Sequence, residues 1–185
     1  MPSAVTKRPL IPSTEKFADA VAALLKAYKI DSAPVNVEKI AKALGAQLRY
    51  SPLDDELSGM IYIKDDVPII GVNALHHPNR QRFTIAHEIG HLQLHKDILS
   101  GVVHVDKQFA TLMRDTRSSQ GNDDIEVQAN QFAAELLMPA NLLLQDIQND
   151  GIDIDDDTAL EALAKKYKVS KVALVFRLGN LTQSS

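Results

Sequence analysis

Residues 83–95 read FTIAHEIGHLQLH, and three of the chain's six histidines, His87, His91 and His95, fall within it. His87 and His91 are four residues apart. On an α-helix this places them about 40° apart around the axis and one turn apart along it, so both imidazoles can reach one ion. Glu88 is rotated about 100° from His87, which removes it as a ligand and suits it to hold a water beside the ion as a general base. Ile85, Ile89 and Leu92 form the opposite, core-facing stripe. His95 is excluded by the helical rise. Eight residues span about 12 Å, whereas metal–nitrogen bonds are only about 2 Å. It is expected instead at the end of the helix, near the last carbonyls.

A helix of solvated histidines would show the same pentapeptide, so the third ligand decides the matter. EVQANQFAAELLM supplies one. Glu126 shares a helix face with Ala129, Asn130 and Ala133, at three, four and seven residues. The alanines allow close approach to the first helix, and Gly90 helps from the other side, at a propensity cost of about 1 kcal/mol relative to alanine. Phe132 and Leu136 turn toward the core. Asn130 can hydrogen-bond the nitrogen of a ligating histidine that does not face the metal. His87, His91 and Glu126 would leave a fourth position for water, the arrangement of a catalytic zinc site, with manganese the alternative. Glu88 would take the water's proton and pass it to the leaving amine. Tyr62, His76, His77, His104 and Arg82 are all candidates to stabilise an oxyanion, and spacing selects none of them.

Composition narrows the classes. The 185 residues suffice for one ordinary domain with a real core, at 45% hydrophobic and 24% charged residues. A formal charge of −4 gives no global attraction to nucleic acid or anionic lipid. Cysteine is absent, which leaves His, Asp and Glu as metal ligands. No stretch has signal-peptide or membrane-span character, so a cytoplasmic protein is expected.

Along the chain, residues 1–13 read as a loose polar tail. A helix over 14–29 follows, carrying Phe17, Val21, Leu24, Leu25 and Tyr28 at helical spacing. VNVEKIAKALG reads as a second helix stopped by Gly45. AQLRY, SGMIYIK and PIIGVN are strands, the last two joined as a hairpin through DDVP. GVVHVD is a candidate short strand, and RSSQGNDD reads as loop before the EVQAN helix. Pro139 ends that helix, Asn141 caps a short one running to about Gln148, and two helices separated near Val169-Ser170 close the chain.

Together, FTIAHEIGHLQLH and EVQANQFAAELLMP resemble the ImmA/IrrE family of metallopeptidases. The likeness extends through PVNVEKIAKALGAQLRY, SGMIYI and VNALHHPNRQRFTIAHE, closely over roughly 15–140. The resemblance implies His87, His91 and Glu126 as ligands and Glu88 as catalytic base. It also implies an α+β fold: a thermolysin-like zincin core whose small, mostly antiparallel sheet packs on helices. The expected organisation is a metallopeptidase domain over 14–140 and a C-terminal helical, helix-turn-helix-like subdomain over 141–185. Family members cut helix-turn-helix repressors and so derepress mobile-element or stress-response genes. The larger ones carry a C-terminal sensor domain, for which this chain is too short. An edge strand near MIYIK or VVHV would hold an extended substrate by backbone pairing.

Two other features have a competing reading. ALAKKYKVSKVALVFRLGNL is locally basic through Lys165, Lys166, Lys168, Lys171 and Arg177 and suggests DNA binding by a non-catalytic regulator. Its second helix is mostly Val, Ala, Leu and Phe, so packing or protein docking is favoured and direct DNA binding disfavoured. The acidic run DGIDIDDD has Thr158 and Ala164 where a calcium loop needs glycine and glutamate, and it suits a helix N-terminus better.

Overall fold

Amphipathic helices and short apolar strands assemble here around one helix that is buried on all sides. The computed structural model describes residues 14–99, 103–107 and 120–183. The tail read over 1–13 lies outside them, as do the starts of GVVHVD and RSSQGNDD. Helix α1 (Thr14–Ala27) buries Phe17, Val21 and Leu25. Helix α2 (Val37–Ala43) is capped by Asn36, whose Oδ1 accepts from the Lys39 amide, and the chain leaves it through Gly45 at φ 84°.

Strands β1 (Gln47–Ser51), β2 (Leu57–Lys64), β3 (Val67–Asn73) and β4 (His104–Lys107) form a sheet in the order β1-β3-β2-β4. β1 pairs parallel with β3, and the other two pairings are antiparallel. The β2–β3 hairpin turns on Asp65 and Asp66, both at positive φ, the conformation of a two-residue turn that matches strand twist. β4 is an edge strand, held through Met60↔Val105 and Ile61↔His104, with a bulge between Leu57 and Gly59.

Helix α3 (Pro78–Leu94) begins with Pro78 after His77, whose Nδ1 accepts from the Asn79 amide. It packs against α2, β2, β3 and α5 (Gln120–Leu137). Every residue from Thr84 to Leu92 is therefore buried, the histidine face included. The expected amphipathic stripe is one side of a fully enclosed helix, because α5 covers the polar side. Two small residues set the close approaches. A Cβ on Gly90 would lie 3.1 Å from both Cα and O of Ala129. A Cβ on Gly59 would lie 2.3 Å from Cγ2 of Thr84 and 2.8 Å from the Gly71 carbonyl.

Three boundaries differ from the sequence reading. α5 begins at Gln120, so the end of RSSQGNDD is helical: packing on α3 outweighs the low propensity of Gly121 and Asn122. A short helix α4 (Lys96–Leu99) follows His95. α6 (Ala140–Asp150) starts after Pro139 with no side-chain cap, which places Asn141 inside it. α6 ends at Gly151 in the left-handed conformation. α7 (Asp157–Tyr167) is capped by Asp156, which accepts from the Thr158 amide, and α8 (Lys171–Gln183) completes the described chain. The result is a mixed α+β structure with a small sheet on helices. Among the described residues, no helix is long and apolar enough to cross a membrane.

Candidate metal centre

The close seam between α3 and α5 converges ligand atoms on one point. Nε2 of His87 lies 2.9 Å from Nε2 of His91. The Glu126 carboxylate reaches both, with Oε2 at 3.2 Å from His87 and Oε1 at 3.3 Å from His91. From the sheet side, Nε2 of His104 approaches Oε1 of Glu126 at 2.8 Å. One ligand atom from each of the four residues lies within 4.8 Å of all the others. Asn130, one turn beyond Glu126, accepts a hydrogen bond through Oδ1 from Nδ1 of His87 at 2.9 Å. That bond puts the proton on Nδ1 and leaves the Nε2 lone pair facing the cluster.

The donor set fits a divalent cation. Oε1 of Glu126 and Nε2 of His104 are buried and have no aligned hydrogen-bond partner among the described residues, although they touch. Buried polar atoms normally find partners, and atoms aimed at a common point without pairing are what an ion would satisfy. Protonation agrees. Burial, opposed by Glu126 and reinforced by His87 and His104, pushes the His91 imidazole down to about 4. Burial pushes the Glu126 carboxyl up, but His104, His87 and His91 outweigh it and hold the group well below the usual carboxylate range. At neutral pH the cluster thus holds an ionised carboxylate beside a neutral His91 imidazole, the state that a metal requires.

Glu88 is fully buried on the other flank of α3. A Cβ on Gly59 would stand 3.4 Å from its Oε1, so the carboxylate lies against β2, where Gly59 pairs with Asp106 of β4. His95 is the C-cap residue of α3 and is absent from the convergent group. Its amide donates to the His91 carbonyl at 2.8 Å, and its ring centroid stands 5.7 Å from that of His91.

Of the five oxyanion candidates, only His104 joins the cluster. His77 serves the start of α3, and Nε2 of His76 accepts from Nδ2 of Asn73 at 3.3 Å. Arg82 donates to the Val35 carbonyl at 2.9 Å. Tyr62 follows Ile61 on β2 and so faces the other side of the sheet. His104 is the residue that spacing could not single out. It pairs across the ladder with the buried Ile61 and shares its face, toward α3, and only the register of β4 brings it there.

Behind His87, a largely apolar cavity of about 840 Å³ opens between α3, α5 and α8, with Phe83, Asn130, Leu137 and Phe176 among its lining. Arg177, one of the residues that make ALAKKYKVSKVALVFRLGNL locally basic, is buried. It pairs with Glu135 of α5 and donates through Nε to the Met138 carbonyl at 3.1 Å, which ties α8 to α5. Lys166 pairs with Asp146 at 2.9 Å and Lys171 with Asp157 at 2.8 Å.

Comparison with known proteins identifies relatives of this chain. The radiation response metalloproteases IrrE of Deinococcus radiodurans and Deinococcus deserti are each 32% identical to this chain, over 115 and 114 residues. Each alignment covers 62% of the chain but only 31% and 37% of the relative, so the chain spans about a third of their length. A solved structure described as a Mycobacterium tuberculosis transcriptional regulator superposes with a TM-score of 0.60 at 17% identity. That match covers 89% of this chain and 46% of the other, a likeness of fold. The model of the IrrE N-terminal-like domain, Peptidase M78, matches residues 41–179, most of the chain, and the chain belongs to that family.

Proposed function

We propose that the chain is a zinc-dependent metallo-endopeptidase, with manganese the alternative ion, whose ligands are His87, His91 and Glu126. One observation carries this: three ligand atoms from α3 and α5 converge, with the His87 tautomer set by Asn130. A divalent ion held there acidifies water and polarises a carbonyl. The chain's own residues do the rest. Glu88, buried beside β2, accepts a proton at its carboxylate and returns it to the leaving amine. Asn130 keeps His87 oriented. β4, at the edge of the sheet among the described residues and next to the cluster, offers its outer backbone groups to an extended polypeptide. The apolar cavity accepts a side chain of that polypeptide.

In this reading residues 14–140 are a zincin-like domain, and 141–185 form a helix-turn-helix-like subdomain packed on it, in a cytoplasmic protein. The substrate is a helix-turn-helix repressor, cut to relieve repression of mobile-element or stress-response genes. Direct DNA binding is disfavoured because Lys166, Lys171 and Arg177 are engaged within the chain. One observation favours a second reading, a non-catalytic regulator that docks a protein: α8 exposes Val172, Val175 and Phe176. The test is Glu88→Gln, assayed with a repressor encoded beside the gene. Metal content should be unchanged and cleavage should fall about 10²–10⁴-fold. Undiminished cleavage would sink the endopeptidase reading as assigned.

A further inference from the structure

We infer that His104 is a fourth protein ligand, which closes the coordination sphere in the resting site and must leave it before water can enter. This rests on the metal reading of His87, His91 and Glu126 and goes beyond it. That trio alone would leave an open position. Four nitrogen and oxygen atoms about 2.0–2.1 Å from one ion stand about 3.3 Å apart in a tetrahedron. The observed approaches are 2.9 Å between His87 and His91, 3.2 and 3.3 Å from Glu126 to each, and 2.8 Å from Glu126 to His104. Oε1 of Glu126 thus stands within a tetrahedral edge of both His91 and His104, as Oε2 does of His87, and Nε2 of His104 lies within 4.8 Å of the other ligand atoms.

Two further observations bear on His104 itself. Its Nε2 is buried, touches Oε1 of Glu126, and has no aligned hydrogen-bond partner among the described residues. An electrophile held for later use would more simply donate a hydrogen bond to that oxygen. Its ring centroid also lies 4.2 Å from that of His91, closer than the 4.6 Å between His87 and His91, so the imidazole is inside the cluster. The element that carries it is suited to release it. β4 spans four residues at the sheet edge, whereas the other ligands sit on helices of 17 and 18 residues. An extended polypeptide added to β4 engages the strand that bears the closing ligand. Substrate pairing and opening of the site are thereby joined.

The test uses Co²⁺ as a spectroscopic ion and azide as a small exogenous ligand, on wild type, His104→Ala, His104→Phe and His91→Ala. Wild type should bind one Co²⁺ with an intense four-coordinate visible spectrum that resists azide. Both His104 variants should bind Co²⁺ about tenfold or more weakly, show a shifted spectrum as water replaces the imidazole, and take up azide at about tenfold lower concentration. His104→Phe keeps the ring's bulk on β4, and its circular dichroism shows whether the fold is intact. Stoichiometric Co²⁺ with the same spectrum and azide response in wild type and both folded variants would overturn the inference and leave the trio standing. Failure of wild type to bind Co²⁺, with His91→Ala no different, would overturn both readings.

Discussion

Two glutamates of helix α5, Glu126 and Glu135, lie about two and a half turns apart, and the chain completes them in opposite ways. Glu135 is enclosed by protein. Its Oε1 accepts from the Ala140 amide at 3.1 Å, its Oε2 pairs with Arg177, and Arg177 in turn donates to the Met138 carbonyl. Glu126 faces imidazoles, and its Oε1 has no aligned hydrogen-bond partner among the described residues. A buried carboxylate supplied with its own cation is part of the framework. One surrounded by lone pairs is a place for a cation from outside. Burial alone does not separate them, and the identity of the neighbours does.

The largest effect expected breaks the Glu135 side. Arg177→Met leaves that carboxylate buried without its cation, and removing one partner of a buried pair costs about 3–5 kcal/mol. Urea denaturation of the metal-free protein should show the loss. Glu135→Gln combined with Arg177→Met should recover much of it, because no buried charge then remains. If Arg177→Met costs less than about 1 kcal/mol, the pair is a surface-like contact and the contrast fails.

Next in size is the seam that holds Glu126 over α3. Gly90→Val places its side chain 3.1 Å from the Ala129 backbone, which cannot rotate away as a side chain would. Overpacking of this kind costs about 1–3 kcal/mol. It should also lower metal content by prying Glu126 from His87 and His91. Calorimetry and metal analysis of the same sample check both, and a variant with full metal and unchanged melting would show that the seam is not set by this contact.

How much of this was legible in the sequence follows from how each element is specified. The strands β1–β3 and most helices write their period locally, and H-E-x-x-H fixes the relation of His87, His91 and Glu88 through helix geometry alone. Glu126 was legible because Ala129, Asn130 and Ala133 mark a face built for close approach, which Gly90 meets at Ala129. His104 was not. Its position depends on the register of a four-residue edge strand, and no sequence interval encodes that pairing. The partner of Arg177 was hidden for a related reason: no interval in the sequence says that the carboxylate 42 residues earlier meets it. The early start of α5 was hidden by Gly121 and Asn122, whose weak propensities tertiary packing overrides.

The smallest stability effect belongs to Glu126 itself, and it sharpens the contrast with Arg177→Met most directly. In metal-free protein at pH 8, the His91 imidazole, pushed down to about 4, is neutral. Burial opposes ionisation of Glu126, and His104, His87 and His91 outweigh it through polar contacts that an amide oxygen can also accept. Glu126→Gln removes that charge while keeping the shape, so the metal-free variant should lie within about 1 kcal/mol of wild type. The loss should appear only when metal is added. Wild type gains stability by RT ln(1 + [metal]/Kd), and the variant should gain little at the same concentration because its carboxylate ligand is gone. Melting curves with chelator and with added Zn²⁺ separate the two contributions. A Glu126→Gln protein as destabilised without metal as Arg177→Met would place Glu126 with Glu135 among the framework residues and leave the cluster without its anion's purpose.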